Sequence, residues 1–345
     1  MTTRLAGVEF ANPVFTASGC AAAGKELDQF FDITLLGGVV TKSIMNAPRS
    51  GRATPRMAET PSGMLNSIGL QGPGIASFLE HDLAWLQARG ARAVVSIAGG
   101  SVEDYATLAK ELRGHPAVSM IEVNISCPNV EDRGQVFACD ARASSGVVQA
   151  VRQNTAVGTP VFAKLSPDVT DITAIARACV DAGADGLSVI NTLLGMVIDT
   201  TTMRPALAGI TGGLSGPAIR PVAVRCVYQV HAALPHVPIL GMGGIRTGLD
   251  ALEFVLAGAS AVSVGTTVFG DPGAPLRILD ELEQALAERG IERLSDAVGL
   301  AHRPPVERVP EDPDPVGDEP VAAMSDSPDD SPSDSPFEDA FEETP

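Results

Sequence analysis

The feature that most constrains this chain is an alternation, across residues 1–302, of short β-branched segments with longer segments of helical periodicity. Strands are predicted at 13–17, 39–43, 93–97, 121–126, 161–165, 186–190, 238–241 and 261–265. Helices are predicted at 77–89, 102–112, 144–154, 170–182, 218–233, 249–257 and 275–289. Such alternation implies parallel strands joined by right-handed crossovers. Eight units in about 300 residues predict an α/β fold of the (β/α)8 TIM-barrel type.

An open, doubly wound sheet is the alternative fold. That fold would need a GxGxxG dinucleotide fingerprint after the first strand, where this chain has TASGCAAAG (16–24). Two connections, 44–74 and 193–216, are also longer than a plain loop requires. We expect the first of them to cover a site at the mouth of the barrel.

The segment 303–345 has a different composition from the barrel. It holds 14 Asp and Glu against two Arg, together with ten of the 26 prolines. Such a segment buries too little apolar surface to offset its ordering entropy, so we predict a disordered acidic tail that acts as a solubilising spacer. An interaction or phosphorylation tail is the alternative. The tail carries most of the net charge of −18, and no basic face for nucleic acid is expected.

Cysteine usage and hydropathy indicate a cytoplasmic protein. The five cysteines are scattered without a CxxC pair, which argues against a disulfide framework or a zinc site and indicates a reducing compartment. The N-terminus lacks the apolar core of a signal peptide, and there is no 18-residue uncharged apolar run. No membrane association and no bound metal are therefore expected.

Polar or glycine-rich clusters end the predicted strands, and in a barrel these ends converge on one face. They are TASG (16–19), TKS (41–43), SIAGG (96–100), NISCPN (124–129), KLSP (164–167), INT (190–192), GMGG (241–244) and VGT (264–266). Gly243-Gly244 and Gly265-Thr266 follow the seventh and eighth strands, where many barrels bind phosphate through backbone N–H groups. Lys42 and Lys164 at strand ends favour an anionic or electron-rich ligand. A Schiff-base lysine, as in barrel aldolases, remains an alternative.

Six stretches of the chain resemble the FMN-dependent dihydroorotate dehydrogenases of class 1, most closely the NAD-linked type 1B catalytic subunit. They are TPRMAETPSGMLNSIGLQGPG (54–74), NISCPNV (124–130), KLSPDVTDI (164–172), GADGLSVINTLLGM (183–196), GGLSGPAIRPVA (212–223) and GMGGIRTGLDALEFVLAGASAVSVGT (241–266). The resemblance covers residues 5–290. It implies one FMN per chain and the oxidation of (S)-dihydroorotate to orotate in pyrimidine biosynthesis.

The resemblance also implies roles for individual residues. The matching FMN contacts are Ser18, Lys42, Ser43, Asn124, Lys164, Ile190, Gly216, Gly243, Gly244, Gly265 and Thr266. The matching orotate contacts are Lys42, Asn66, Ser67, Ile68, Gly69, Leu70, Asn124, Asn191 and Thr192. Cys127 matches the base that removes the proton from C5, while hydride passes from C6 to N5 of FMN. The other cysteines are expected to be buried and inert.

One strand end departs from the family. Ser96 stands where Asn is usual, and its shorter side chain is not expected to contact a ligand directly.

The sequence shows no binding motif for an electron acceptor: it has neither a cysteine run for an iron–sulfur cluster nor a nicotinamide fingerprint. The 1B resemblance implies that a homodimer reaches NAD through a partner subunit carrying FAD and a [2Fe-2S] cluster, in an α2β2 assembly. Three alternatives stay open: a fumarate-linked homodimer, another FMN-dependent dihydropyrimidine oxidoreductase, and a phosphate-binding barrel lyase or aldolase.

Overall fold

The computed structural model describes residues 1–126 and 139–304. Its strands are β1 (Thr3–Leu5), β2 (Val8–Phe10), β3 (Val14–Thr16), β4 (Val39–Val40), β5 (Met57–Thr60), β6 (Gly63–Asn66), β7 (Ala93–Ile97), β8 (Val118–Asn124), β9 (Val161–Leu165), β10 (Gly186–Val189), β11 (Leu193–Gly195), β12 (Ile198–Asp199), β13 (Arg204–Pro205), β14 (Gly212–Ser215), β15 (Ile239–Met242) and β16 (Ala261–Val264). Its helices are α1 (Ile75–Ser77), α2 (Ala84–Arg89), α3 (Val102–Glu111), α4 (Ala141–Asn154), α5 (Ile172–Asp181), α6 (Arg220–Ala233), α7 (Gly248–Ala257), α8 (Ala274–Ala287) and α9 (Leu294–Ala297). A π-helical segment, Phe78–Leu83, joins α1 to α2.

Eight parallel strands form the central sheet in the order β3-β16-β15-β10-β9-β8-β7-β4. The two ends of this order meet: the Gly37 N–H donates to the Val14 carbonyl at 2.9 Å, and the Thr16 N–H donates to the Gly38 carbonyl at 3.3 Å. The sheet is thus closed into a barrel, and the predicted TIM-barrel fold is confirmed.

The outer layer follows the predicted helical segments closely. No helix was predicted between the first two strands of the barrel. The connection from β3 to β4 contains only short 3₁₀ turns, Leu27–Gln29 and Ile33–Leu35. Elsewhere local sequence sets the helix starts. Ser101 and Thr247 each form a capping box with the aspartate three residues later, which satisfies N–H groups that a helix start leaves unpaired.

An apolar plug fills the N-terminal end of the barrel. The β1–β2 hairpin brings Leu5 and Phe10 against inward-facing Phe15, Met120 and Phe162, all of them almost completely buried. The Phe10 and Phe15 rings meet edge to face, with centroids 5.0 Å apart. This plug closes the N-terminal end, and the parallel strands bring their polar C-terminal ends together at the opposite mouth.

A four-stranded antiparallel sheet, β11-β14-β6-β5, is built from the two long insertions. In its register Gly213 pairs with Asn66 and Leu214 pairs with Leu65. The Asn66 amide also donates to the Gly213 carbonyl at 3.3 Å, across 147 residues of chain. The expected covering segment therefore shares a sheet with the second insertion, which the sequence did not indicate.

The described residues form one compact unit that runs to Pro304, and the domain boundary at 302 stays a prediction. Within the described ranges no helix has both the length and the hydropathy needed to cross a bilayer. The predicted tail beyond Pro304 lies outside the described residues.

Candidate active site

A cavity of about 410 Å³ opens at the C-terminal mouth of the barrel. Strand ends and the four-stranded sheet both line it. Its walls include the predicted ligand contacts Ser18, Lys42, Ser43, Asn66, Ile68, Gly69, Leu70, Asn124, Asn191, Thr192 and Thr266. Residues from six separate segments of the chain therefore meet at one opening.

A smaller cavity of about 70 Å³ adjoins the first and shares Ser18, Asn191 and Thr192 with it. It is lined by the remaining predicted cofactor contacts, Lys164, Ile190, Gly216, Gly243, Gly244 and Gly265. The buried Ser263 hydroxyl also lines this inner cavity and has no hydrogen-bond partner among the described residues. An unpaired buried hydroxyl is costly, so this cavity is built for a polar occupant.

Three glycines form one wall of the inner cavity, and each has a positive φ: +91° at Gly216, +131° at Gly243 and +81° at Gly244. A Cβ on Gly244 would lie 2.8 Å from the Gly216 carbonyl oxygen. Gly216 also precedes the 3₁₀ turn Pro217–Ile219 that leads into α6. Bare backbone at the start of a helix is a favourable setting for an anion, which fits the phosphate of FMN.

Lys164 lines the inner cavity and is only 3% exposed. Its ammonium group donates to the Ser18 hydroxyl at 2.9 Å. The Glu122 carboxylate forms an ion pair with the same ammonium group, with 3.6 Å between Oε1 and Nζ. A cation held in this position suits an electron-rich ligand group in the inner cavity.

Asn124 is held by a chain of hydrogen bonds. Its amide donates to the Ser43 hydroxyl at 2.9 Å, and Ser43 is bonded in turn to the Ser96 hydroxyl at 2.9 Å. The Tyr105 hydroxyl donates to the Asn124 carbonyl at 2.7 Å. Ser96 is fully buried and is not among the cavity-lining residues, so it reaches the site only through Ser43.

The predicted base, Cys127, lies outside the described residues. Ser126 comes directly before it, and the Ser126 carbonyl accepts a hydrogen bond from the cavity-lining Asn191 amide at 3.2 Å. The Ser126 hydroxyl donates to the Lys164 carbonyl, and its N–H donates to the Asn124 side chain at 3.2 Å. The residue before Cys127 is therefore tied directly to three site residues.

Ser67 is the one predicted substrate contact within the described ranges that does not line either cavity. It is 1% exposed, and its hydroxyl accepts a hydrogen bond from Arg52 at 3.1 Å. Because side chains alternate along extended chain at the end of β6, its neighbours Asn66 and Ile68 face the cavity and Ser67 faces away.

Two of the four cysteines expected to be buried and inert are placed differently. Cys179 and Cys226 are buried, whereas Cys139 is exposed and Cys20 lines both cavities. The expectation was wrong for Cys139 because it stands just before α4, on the surface. Burial raises the pKa of the Cys20 thiol to about 11, although the nearby Lys164 and Lys42 act in the opposite direction. Cys20 therefore stays protonated at neutral pH.

This difference in environment predicts a difference in alkylation. At pH 8 we expect iodoacetamide to label Cys139 well before Cys20: burial and Asp168 raise the pKa of the Cys139 thiol, but its side chain is exposed, whereas burial raises the pKa of Cys20 to about 11 and keeps the reactive thiolate scarce there. Reactivity at Cys20 should increase only as the pH approaches its raised pKa. Peptide mapping by mass spectrometry measures both sites in one sample, and rapid labelling of Cys20 at pH 8 would contradict the assignment.

Several cavity residues were not identified from the sequence: Cys20, Met57, Met64, Gln71, Gly213, Ser215 and Phe269. Most of them come from the sheet formed by the insertions, whose strands were not predicted. Among residues 1–126 and 139–304, no group of three or more His, Cys, Asp or Glu is arranged to hold a metal ion.

The fold and the site together define a (β/α)8 barrel with polar cavities at the C-terminal ends of its strands, the face on which barrel enzymes build their active sites. The family model for dihydroorotate dehydrogenase matches residues 1–286. The chain belongs to the dihydroorotate dehydrogenase family, a family of flavin-dependent oxidoreductases, as its motifs indicated.

Curated relatives extend over almost the same region. A protein of Geobacter sp. (strain M21) is 49% identical over 299 residues, which cover 87% of this chain and 97% of the relative. One from Pelobacter propionicus is 50% identical over 299 residues, with coverages of 87% and 97%. One from Desulforamulus reducens is 48% identical over 302 residues, with coverages of 88% and 98%. Each is named dihydroorotate dehydrogenase B (NAD(+)), catalytic subunit.

Proposed function

We propose that this chain is the FMN-containing catalytic subunit of an NAD-linked dihydroorotate dehydrogenase, which oxidises (S)-dihydroorotate to orotate in pyrimidine biosynthesis. The observation that carries the proposal is the convergence of the family's FMN positions on two adjoining cavities at the barrel mouth. The relatives' printed names supply the substrate and the NAD-linked type.

Residues around the inner cavity would hold FMN. Gly216, Gly243 and Gly244 would present backbone N–H groups to its phosphate, while Lys164 and Ser18 would meet electron-rich atoms of the ring. When bound, FMN supplies the hydride acceptor of the reaction.

Residues around the outer cavity, the larger of the two at about 410 Å³, would bind the substrate ring. Asn66, Asn124 and Asn191 each offer a donor and an acceptor, as a ring that carries both amide and carbonyl groups requires. Lys42 would offset the negative charge of the substrate carboxylate. The hydrogen-bond chain through Ser43 and Ser96 fixes the orientation of Asn124, so the substrate meets a preorganised surface.

Cys127 would act as the base at C5 of the substrate. A free thiol has a pKa of about 8.5, so only a few per cent is thiolate at neutral pH, and activity is expected to rise with pH. The four-stranded sheet at the mouth would limit the access of water to the bound substrate.

The electrons would reach NAD through a partner subunit that carries FAD and a [2Fe-2S] cluster, in an α2β2 assembly around a homodimer of this chain. The words "catalytic subunit" in the relatives' names support a second subunit. A homodimer that uses fumarate is the second candidate, since the chain alone contains no nicotinamide fingerprint.

Purification of the chain alone tests the proposal. We expect a yellow protein with one FMN per chain, reduction of that FMN by dihydroorotate without oxygen, and orotate as the product. The isolated chain should reduce NAD poorly, and efficient NAD reduction by it would refute the two-subunit arrangement. A colourless protein whose lysine is trapped by borohydride in the presence of a carbonyl substrate would instead indicate an aldolase.

A further inference from the structure

Glu122 is a charged residue inside the barrel with no assigned role. It lies on β8, between Ile121 and Val123, and none of its surface is exposed. Neither carboxylate oxygen accepts a hydrogen bond from any described residue. A buried carboxylate is unfavourable unless it is paired, so an apolar residue would pack this position at lower cost.

The one ion-pair partner that the described residues give Glu122 is Lys164, at 3.6 Å from Nζ to Oε1. Lys164 is therefore held from two directions, by the Ser18 hydroxyl at 2.9 Å and by the Glu122 carboxylate. An ammonium group has three N–H donors. With one on Ser18 and one turned toward Glu122, the third is left for a ligand in the inner cavity that Lys164 lines.

We propose that Glu122 is a positioning residue for the flavin, acting through Lys164: it fixes the direction of the ammonium group and so keeps the positive charge at the inner cavity. This inference rests on the proposed function, because it takes FMN as the occupant of that cavity. This role would explain why a carboxylate is buried at this position, which packing alone does not explain.

The direction in which the midpoint potential of the flavin shifts distinguishes this indirect role from a direct effect of the Glu122 charge on the flavin. Reduced flavin carries more negative charge than oxidised flavin, so a fixed cation beside it favours reduction and raises the midpoint potential. If Glu122 acts through Lys164, its loss loosens the cation and the potential moves to more negative values. If its own charge acted directly on the flavin, its loss would move the potential to more positive values.

A double-mutant cycle on the FMN-loaded protein provides the test. Four proteins are compared: the wild type, Glu122→Gln, Lys164→Gln and the double variant. FMN dissociation constants come from fluorescence titration and midpoint potentials from anaerobic dye titration. We expect Glu122→Gln to weaken FMN binding about tenfold and to shift the potential in the same direction as Lys164→Gln. In the Lys164→Gln background, Glu122→Gln should then change neither quantity further.

The outcomes are distinct. Unchanged affinity and potential in Glu122→Gln, or a positive shift that persists without Lys164, overturns the inference. A wild-type chain that binds no FMN overturns the proposed function instead. Should Glu122→Gln fail to fold, Glu122→Asp decides, because it keeps the charge but is one methylene shorter. We expect Glu122→Asp to give smaller changes of the same sign, and properties identical to the wild type would count against the inference.

Discussion

Replacement of Cys127 by alanine is expected to slow the reduction of bound FMN by dihydroorotate by about 10²–10⁴-fold, the usual contribution of a general base. The substrate must lose a proton from C5 as hydride leaves C6, and alanine offers no group to accept that proton. The hydrogen bonds of Ser126 to Asn124, Lys164 and Asn191 remain available in the variant, so the binding of FMN should be little changed. The defect should therefore appear in the reduction step.

Stopped-flow measurement of the loss of oxidised-flavin absorbance follows that step directly. Cys127→Ser should fall between the wild type and Cys127→Ala, because a hydroxyl is a weaker base than a thiolate. Cys139→Ser is the matched control: it removes an exposed thiol outside both cavities and should leave the rate unchanged. A wild-type rate in Cys127→Ala would show that another group takes the proton.

The pH dependence gives a second reading of the same assignment. In the wild type the rate should rise with pH through a group near or somewhat below the ordinary thiol pKa of about 8.5. Cys20 cannot provide this rise, because burial raises the pKa of its thiol to about 11. The rise near neutral pH should therefore disappear in Cys127→Ala.

The barrel was predictable because its two structural periods are visible in the sequence. Side chains alternate along a strand with a period of 2 and along a helix with a period of 3.6, and the chain switches regularly between them. The convergence of the strand ends then follows from the parallel topology alone. Lys42 and Lys164 were placed at the mouth on this basis, and both line cavities there.

Pairings between distant segments were not predictable in the same way. The sheet over the mouth joins Asn66 to Gly213, and neither segment has the β-branched alternation that marks a strand. The β1–β2 hairpin that plugs the barrel is equally short, at three residues per strand. Short strands carry too few residues for periodicity to be read.

Glu122 shows the same limit for a single side chain. In the sequence it is one polar residue of an alternating strand, which is typical of a solvated face. In the closed barrel that face points inward, and the paired residue in β9 is Phe162. Its burial and its contact with Lys164 follow from closure of the sheet, which local sequence does not report.

Gly244→Ala is expected to weaken FMN binding by about 5- to 30-fold while leaving the barrel folded. Gly244 has a φ of +81°, where a Cβ is strained, and that Cβ would lie 2.8 Å from the Gly216 carbonyl and 2.9 Å from Arg220 Cβ. The added methyl group should therefore move Gly244 away from Gly216 and change the spacing of the glycines that line the inner cavity. A strain of about 1–2 kcal/mol corresponds to a loss of about 5- to 30-fold in FMN affinity if FMN binding requires the original spacing.

The matched control for this prediction is Gly270→Ala, since Gly270 follows the 3₁₀ turn Thr266–Phe269 near the same mouth. Its φ is −100°, and a Cβ there would meet no atom within 4 Å. Fluorescence titration with FMN should give a wild-type dissociation constant for Gly270→Ala and a raised one for Gly244→Ala. Thermal unfolding of both variants without FMN shows whether a lower FMN affinity comes from the altered glycine spacing or from an unfolded protein. If Gly244→Ala bound FMN as tightly as Gly270→Ala and the wild type, the spacing of Gly216 and Gly244 would have no effect on the ligand. The phosphate would then be bound elsewhere.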